Sequence, residues 1–267
     1  MTTATVAPGV GALLRSWRDR RRISQLELAL RADSSARHIS FIENGRARPS
    51  QEMVLRLAEH LDVPVRERNA LLVAAGYAPH YPEAALDDPA LAGLRAGLDQ
   101  LLTGYEPYPA LVMNGRYEVV AANAGVGLLL AGVPAHLTRP PVNAMRVTMH
   151  PEGIARRILN YRQWRAHLLE QMQRQLALLR SEPLRTLYEE VSAYPLPENC
   201  PDEPPETIGN LPFALPMVIE HEGRVLSFIS SVATFNTPMD VTVSELAVET
   251  FLPGNQETAA YLREVLG

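Results

Sequence analysis

The sequence contains no lysine, so all 25 basic side chains among its 267 residues are arginines. It has a single cysteine, Cys200, which excludes an internal disulfide and a cysteine-based metal site. Apolar runs such as residues 125–133 are much shorter than the roughly 20 residues that a membrane-spanning helix needs. The first residues also lack the basic start and apolar stretch of a secretory signal. We therefore expect a cytoplasmic protein with no membrane segment.

What is present is the composition of a soluble globular chain, with 46% hydrophobic and 21% charged residues. The net charge of -5 argues against a surface coated in positive charge for nucleic acid. The sequence has no G-x-S-x-G, Walker or H-E-x-x-H motif, and His150-Pro151-Glu152 matches only half of a zinc deaminase signature. We therefore expect no enzymatic activity, no cofactor and no bound metal.

The charge is distributed unevenly along the chain. Residues 10–50 contain nine arginines and four acidic residues, a net charge of +5, whereas the rest carries 16 basic and 26 acidic residues, a net charge of −10. A basic segment joined to an acidic body indicates either a nucleic-acid-binding surface or a solvated arginine-rich face. Charge alone does not separate these two interpretations.

Local patterns predict five helices before residue 77. They span residues 10–21, 24–31, 35–44, 51–61 and 67–75. Ser24 and Glu27 form a capping box at the start of the second helix, and the polar turn 33–35 offers an N-cap to the third. Two short helices joined by three or four residues are the arrangement of a helix-turn-helix.

The stretch from Ser24 to Ser50 closely resembles the DNA-binding domain of the Xre, or phage-repressor, family, and the resemblance extends over residues 10–76. Its landmarks are Ser24-Gln25, Leu28-Ala29, Ile39-Ser40-x-Ile42-Glu43-Asn44-Gly45 and the Arg and Pro-Ser that follow. Asp33 occupies the turn position where many members have Gly, and Asp tolerates the left-handed conformation better than most residues. The resemblance implies binding to double-stranded DNA as a homodimer.

The same resemblance implies roles for residues in and around the third helix. The expected base contacts are Ser35, Ala36, Arg37 and Phe41, and the expected phosphate contacts are Gln25, Ser40, Asn44, Arg46 and Arg48. Arg37 would pair with the two acceptors of guanine, whereas Ala36 and Phe41 would pack on a thymine methyl. Two alternatives stay open: Phe41 belongs to the core, and His38 is only a partly exposed helix residue.

The rear of the chain has an α+β pattern. We place a DNA-binding domain at residues 1–77, a linker and connecting helix at 78–106, and a second domain at 107–267. Asn114-Gly115 between two apolar runs predicts a β-hairpin. Three more strands are predicted over residues 213–220, 224–235 and 241–251, and helices over residues 123–130, 160–180, 184–191 and 256–266. We therefore expect a five-stranded antiparallel sheet with helices on one side, as in the PAS sensor fold.

This region resembles the MmyB-like ligand-binding domain, which follows an Xre-type head in many bacterial regulators. The residues that carry the resemblance are Tyr108-Pro109-Ala110, Val119-Val120-Ala121-Ala122-Asn123, Asn143-x-x-Arg146, His150-Pro151-Glu152-Gly153, Trp164-Arg165, Thr234-Phe235-x-Thr237-Pro238 and Asp240-Val241-Thr242. The resemblance implies a PAS-like sensor whose ligand is an apolar small molecule, with a fatty acid as the candidate.

We expect the ligand site to include Met113, Met145, Arg146, His150, Trp164, Leu168, Met172, Met217 and Phe235. Methionine adapts to irregular cavities, but it also fills ordinary cores, so its abundance here fits both. A fatty acid would need a cation or a hydrogen-bond donor at one end, and the candidates are Arg146, Arg156, Arg157, His150 and Arg165. The alternative to a sensor is a rear domain that only dimerises or binds a protein partner.

Overall fold

The computed structural model describes residues 8–179, 181–198, 200 and 213–267. The chain divides into two compact units. We call the first the head; it comprises the chain up to Ala84 together with Thr237–Ser244. We call the second the body; it comprises Ala85–Asn236 and Glu245–Gly267.

Five helices form the N-terminal part of the head, as the sequence predicts. They are α1 (Val10–Arg20), α2 (Gln25–Arg31), α3 (Ala36–Glu43), α4 (Gln51–His60) and α5 (Val65–Ala74). The hydroxyls of Ser24, Ser35 and Ser50 each accept a hydrogen bond from the backbone N–H three residues later, which starts α2, α3 and α4. Asp33 takes the predicted left-handed conformation, with φ of 49°.

The head has its own apolar core, in which Leu14, Trp17, Leu28, Ile39, Ile42 and Leu57 are buried. Gly11 is a point of close approach between α1 and α3, because a Cβ at this position would collide with the carbonyl oxygen of Ile42. This packing holds α3 against the rest of the head by its inner face.

The body contains a five-stranded antiparallel sheet. Its strands are β1 (Ala110–Met113), β2 (Val119–Ala122), β3 (Met217–His221), β4 (Arg224–Thr234) and β5 (Ala247–Pro253), in the order β2-β1-β5-β4-β3. Its helices are α6 (Ala92–Tyr105), α7 (Val126–Leu129), α8 (Ala135–Thr138), α9 (Ala144–Met149), α10 (Tyr161–Leu178), α11 (Glu182–Ser192) and α13 (Gln256–Leu266).

Both faces of the sheet are covered by helices. Leu111 and Met113 of β1 belong to the large core that includes residues of α7, α9, α10 and α11. Ala110 and Val112 point to the opposite face, where Leu98 and Leu102 of α6 pack against them. The expectation of helices on one side only was therefore wrong. The apolar stripe of α6, which includes Leu98 and Leu102, packs against the second face of the sheet.

The predicted strand over residues 241–251 was wrong in its first part. Residues Val241–Ser244 form a helical turn, α12, and β5 begins only at Ala247. The side chain of Asp240 accepts a hydrogen bond from the backbone N–H of Val243 at 3.2 Å, which caps this turn. The break in alternation near Glu245 thus marks a change from helix to strand.

The segment Thr237–Ser244, which links β4 to β5 along the chain, is part of the head. The N–H of Ala84 donates to Asp240 Oδ2 at 3.0 Å, and the Thr242 hydroxyl donates to the Ala84 carbonyl at 2.7 Å. The N–H of Val241 donates to the carbonyl of Pro82 at 2.8 Å. Sequence patterns placed this segment in the rear domain and did not indicate its hydrogen bonds within the head.

Candidate nucleic-acid interface and ligand cavity

The outer face of α3 carries the residues predicted to contact bases. Ile39 and Ile42 are buried, whereas Arg37 is exposed and Phe41 is half-buried. Ser35 is exposed, and Ala36 and Ser40 are half-buried. The side chains that could reach a DNA groove therefore share one face of the helix.

Arg37 and Phe41 form a pair on this face. The guanidinium carbon of Arg37 lies 5.2 Å from the centroid of the Phe41 ring. Within the described chain the Arg37 guanidinium makes no hydrogen bond or ion pair, so its donors remain open to a base edge. Phe41 lies outside the buried apolar core of the head.

The residues predicted to contact phosphate differ in how many hydrogen bonds their side chains already make within the protein. Arg46 is exposed and, among the described residues, has no side-chain partner. Arg48 donates from Nε to the Ala75 carbonyl at 3.2 Å and lies over the Tyr77 ring. The Asn44 side chain accepts from Arg15 at 2.5 Å and donates to Ser40 Oγ at 3.3 Å.

A buried carboxylate at the end of α3 joins three helices. The side chain of Glu43 is 1% exposed and accepts hydrogen bonds from Arg18 Nε at 2.7 Å and Gln25 Nε2 at 2.8 Å. Burial alone would raise the pKa of Glu43, but the bonds from Arg18 and Gln25 outweigh it and hold the pKa below its ordinary value.

This network gives Gln25 a role that the sequence did not indicate. Its amide nitrogen ties the start of α2 to the end of α3, so Gln25 positions the recognition helix whether or not it also contacts phosphate. Glu43 also compensates part of the arginine charge counted in the head, since Arg15 and Arg18 both point to it. The buried carboxylate was absent from the predicted site because a glutamate near a helix end is usually exposed.

The body contains a cavity of about 240 Å³ between the sheet and its helices. It is lined mainly by apolar side chains from β1, β3, β5, α7, α9 and α10. Five of the nine predicted ligand residues line it: Met113, Met145, Trp164, Leu168 and Met217. The structure therefore brings these five together around one space.

The other four predicted ligand residues lie elsewhere. Met172 is fully buried in the core, and Phe235 is exposed just beyond the end of β4. Arg146 makes a two-pronged ion pair with Glu190 of α11, at 2.8 and 2.7 Å. The Nδ1 atom of His150 accepts the backbone N–H of Glu152 at 3.1 Å.

The cations proposed as partners for a fatty-acid carboxylate are engaged in the fold. The hydrogen bonds from Arg146 to Glu190 connect α9 to α11, and they lower the pKa of Glu190. Arg165 donates to the Ser192 carbonyl at 2.7 Å, and Arg157 donates to the carbonyl of Leu129. Arg156 donates to the carbonyl of Gly132. None of these side chains lines the described cavity.

The polar side chains that do line the cavity are Tyr117, Thr148, Gln171 and Glu249. Glu249 of β5 accepts a hydrogen bond from the Ser230 hydroxyl at 2.6 Å through Oε1. Its surroundings remove it from bulk water, and this burial raises its pKa. Burial also raises the pKa of Tyr117, and the nearby Glu249 adds to the effect.

The sequence carries one signal for Glu249, which is the alternation of side chains along β5. Ala247, Glu249 and Phe251 share one face of β5, and Glu249 and Phe251 of this face line the cavity. An acidic residue on an inward face is rare without a partner, so it indicates a site. The wrongly predicted start of the strand hid this alternation.

The chain matches two families of known proteins. Residues 14–68 match the helix-turn-helix family model, and residues 94–265 match the model described as the MmyB-like transcription regulator ligand binding domain. No curated protein matches the sequence. Among the described residues, no helix has the length and apolar content needed to cross a membrane.

A helix-turn-helix head joined to a ligand-binding domain defines the chain as a transcription regulator of the DNA-binding, ligand-binding class. Because the second match covers more than half of the sequence, the chain belongs to the MmyB-like transcription regulators.

Proposed function

We propose that the protein binds specific double-stranded DNA sequences as a homodimer and that an apolar small molecule in the body cavity changes its affinity for the operator. The observation that carries the proposal is the presence, in one chain, of an exposed recognition face on α3 and an apolar cavity enclosed by the sheet and its helices.

The head supports sequence-specific binding through two kinds of contact. Arg37 offers a planar, two-pronged donor on the exposed face of α3, which suits the two acceptors of guanine. Arg46 lies just beyond the helix and makes no ion pair with any described residue, which suits a phosphate. On a dimer, two such heads would contact half-sites about one helical turn apart, roughly 34–36 Å.

The cavity supports binding of a small apolar ligand. Its volume of about 240 Å³ lies just below the range of roughly 300–1,000 Å³ that is usual for drug-sized ligands. A fatty acid is the candidate implied by the family, and its alkyl chain would suit the methionine, leucine and tryptophan walls. Its carboxylate would meet only neutral or acidic groups among the described lining residues.

The segment Thr237–Ser244 supports an effect of ligand on the head. It belongs to the head through the bonds of Asp240 and Thr242 to Ala84, and two residues at each end connect it to β4 and β5. Glu249 and Phe251 of β5 line the cavity. A change in β5 on ligand binding would thus reach the head through a short, hydrogen-bonded stretch of chain.

The test has two steps. An operator is first selected from a pool of random duplexes with the full-length protein, and its affinity is measured by fluorescence anisotropy. The purified protein is then extracted with organic solvent, and the extract is examined by mass spectrometry for a small apolar molecule. We expect a selected sequence and a bound molecule.

The alternative is a body that only dimerises or binds a protein partner. It predicts that every extract is empty and that no small molecule changes operator affinity, whereas the sensor proposal predicts a change. The same purified protein therefore distinguishes a sensor from a domain that only dimerises or binds a protein partner.

A further inference from the structure

The head group of the ligand is constrained by the charge of the cavity. Within the described chain, the lining contains no arginine and no histidine, and its only ionisable groups are Tyr117 and Glu249. A carboxylate ligand would place its negative charge in the same small apolar space as Glu249. Two carboxylates at close range in a low-dielectric site repel each other strongly.

Glu249 is itself incompletely satisfied. The Ser230 hydroxyl donates to Oε1, and Oε2 accepts no hydrogen bond from any described residue. Glu249 as a whole residue is half-buried, and it lines the cavity. Ionising an acid in an apolar wall without a cation is costly, and this cost raises the pKa of Glu249 in the ligand-free chain. A ligand that brings a cation would stabilise the ionised carboxylate.

The other polar side chains of the lining can accept hydrogen bonds from the head group of a ligand. The amide of Gln171 has no hydrogen-bond partner among the described residues, and its oxygen can accept from a ligand. The Tyr117 hydroxyl donates its proton to Gln175 Oε1 at 2.8 Å, which leaves its oxygen as an acceptor. Glu249, Gln171 and Tyr117 can therefore all accept hydrogen bonds from one group.

We propose that the cavity selects an apolar molecule with a protonated amine, which pairs with Glu249, rather than a fatty acid. This inference rests on the proposed ligand-binding function and names the class of ligand. No covalent step is involved, and the specificity comes from one acidic side chain in an apolar wall.

The test compares three probes with the same tail and different heads: n-octylamine, n-octanol and octanoate. Their affinities for the full-length protein are measured by isothermal titration calorimetry at about pH 8, where a primary amine is still protonated. We expect n-octylamine to bind about tenfold or more tighter than n-octanol, the effect of one hydrogen bond to a charged group, and octanoate to bind most weakly.

Glu249→Gln keeps the size of the side chain and removes its charge, so the preference for the amine over the alcohol should disappear. Glu257→Gln, at an exposed position on α13, is the matched control and should keep the preference. The three-probe comparison in the unmodified protein stands without either variant.

The outcomes separate this inference from the proposed function. If n-octanol binds but the amine is not favoured, or if Glu249→Gln leaves its preference intact, the amine inference is wrong and the cavity remains a ligand site. If octanoate binds best of the three, the amine inference is wrong and the cavity selects a fatty acid. If none of the three probes binds, both the inference and the ligand-binding function are contradicted.

Discussion

Arginine is the only cationic side chain that the protein uses besides histidine, and its arginines have three different tasks. Arg18 is bonded to buried Glu43 and holds helices together. Arg146 joins two helices of the body through Glu190. Arg37 and Arg46 have no such partner among the described residues, so their donors are available for the proposed contacts with DNA. A planar guanidinium serves all three purposes because it can bond two acceptors at once.

Arg37→Ala should relax discrimination at one base pair of the operator. The lost pair of hydrogen bonds to guanine should cost about 1–3 kcal/mol of binding free energy. The measurement compares the selected operator with single-base variants by fluorescence anisotropy. Discrimination that is unchanged in the variant would rule out this role for Arg37.

Arg46→Ala is the companion variant. It should weaken binding to all duplexes alike and reduce the slope of log affinity against log salt by about 0.9. A defect confined to certain sequences would instead make Arg46 a base contact.

Glu249→Gln should also change stability in a way that depends on pH. Burial raises the pKa of Glu249 in the folded chain, so the folded state holds a proton that the unfolded state releases above about pH 4.3. The free energy of unfolding of the ligand-free protein therefore falls as the pH rises through that range, and the Gln variant lacks this fall. In urea unfolding, the unmodified protein and Glu249→Gln should have similar free energies of unfolding near pH 4. Above that pH the variant should become progressively more stable than the unmodified protein. A difference that does not vary with pH would show that Glu249 is not a buried acid.

At the scale of helices and strands, local signals account for the head better than for the body. Ser24, Ser35 and Ser50 cap their helices within three residues, so the pattern is visible in a short stretch of sequence. The Val-Thr-Val run at 241–243 favours a strand by composition, yet contacts with Pro82 and Ala84 hold it as a helical turn. Non-local contacts of this kind have no signature in a single sequence.

The candidate sites follow the same division. The family pattern predicted the exposed face of α3, and the methionines predicted part of the cavity lining. Gln25 was assigned to DNA phosphate and Arg146 to the ligand from the family resemblances, but their partners Glu43 and Glu190 are 18 and 44 residues away. Long-range pairing of this kind decides whether a polar side chain is available for binding.

Glu43→Ala should destabilise the head strongly. It leaves the Arg18 guanidinium, which is 12% exposed, with only the exposed carboxylate of Asp19 at 2.8 Å and without its buried partner. Breaking such a buried pair costs about 3–5 kcal/mol. Glu27→Ala removes the exposed pair with Arg31 on α2 and should cost only about 0.3–0.5 kcal/mol. Urea unfolding of both variants provides the comparison, and equal losses would contradict a structural role for the Glu43 network.

At the scale of the whole molecule, the sensor account depends on communication along the chain. A ligand changes operator affinity only if it binds the DNA-binding-competent and incompetent forms of the protein with different affinities. The segment Thr237–Ser244 is the feature suited to this, because its ends continue into β4 and β5 while Asp240 bonds to Ala84 within the head.

Asp240→Ala should reduce the change in operator affinity that ligand causes, and it should have a smaller effect on operator affinity without ligand. It removes the acceptor for the Ala84 N–H and the cap of α12, and it leaves α3 untouched. The operator affinity of the unliganded variant should be close to that of the unmodified protein, with a smaller shift on adding ligand. Met239→Ala, at an exposed position in the same segment, is the control and should respond in full. An undiminished response in Asp240→Ala would exclude this segment as the route.

The central claim is that one chain couples a small-molecule cavity to an operator-binding head. Its most direct test is the affinity of the full-length protein for its selected operator, measured by fluorescence anisotropy with and without a saturating amount of the octyl probe that binds most tightly. The account predicts a shift in operator affinity that is lost when Leu168→Trp fills the cavity. An operator affinity that is identical with and without bound probe would contradict it.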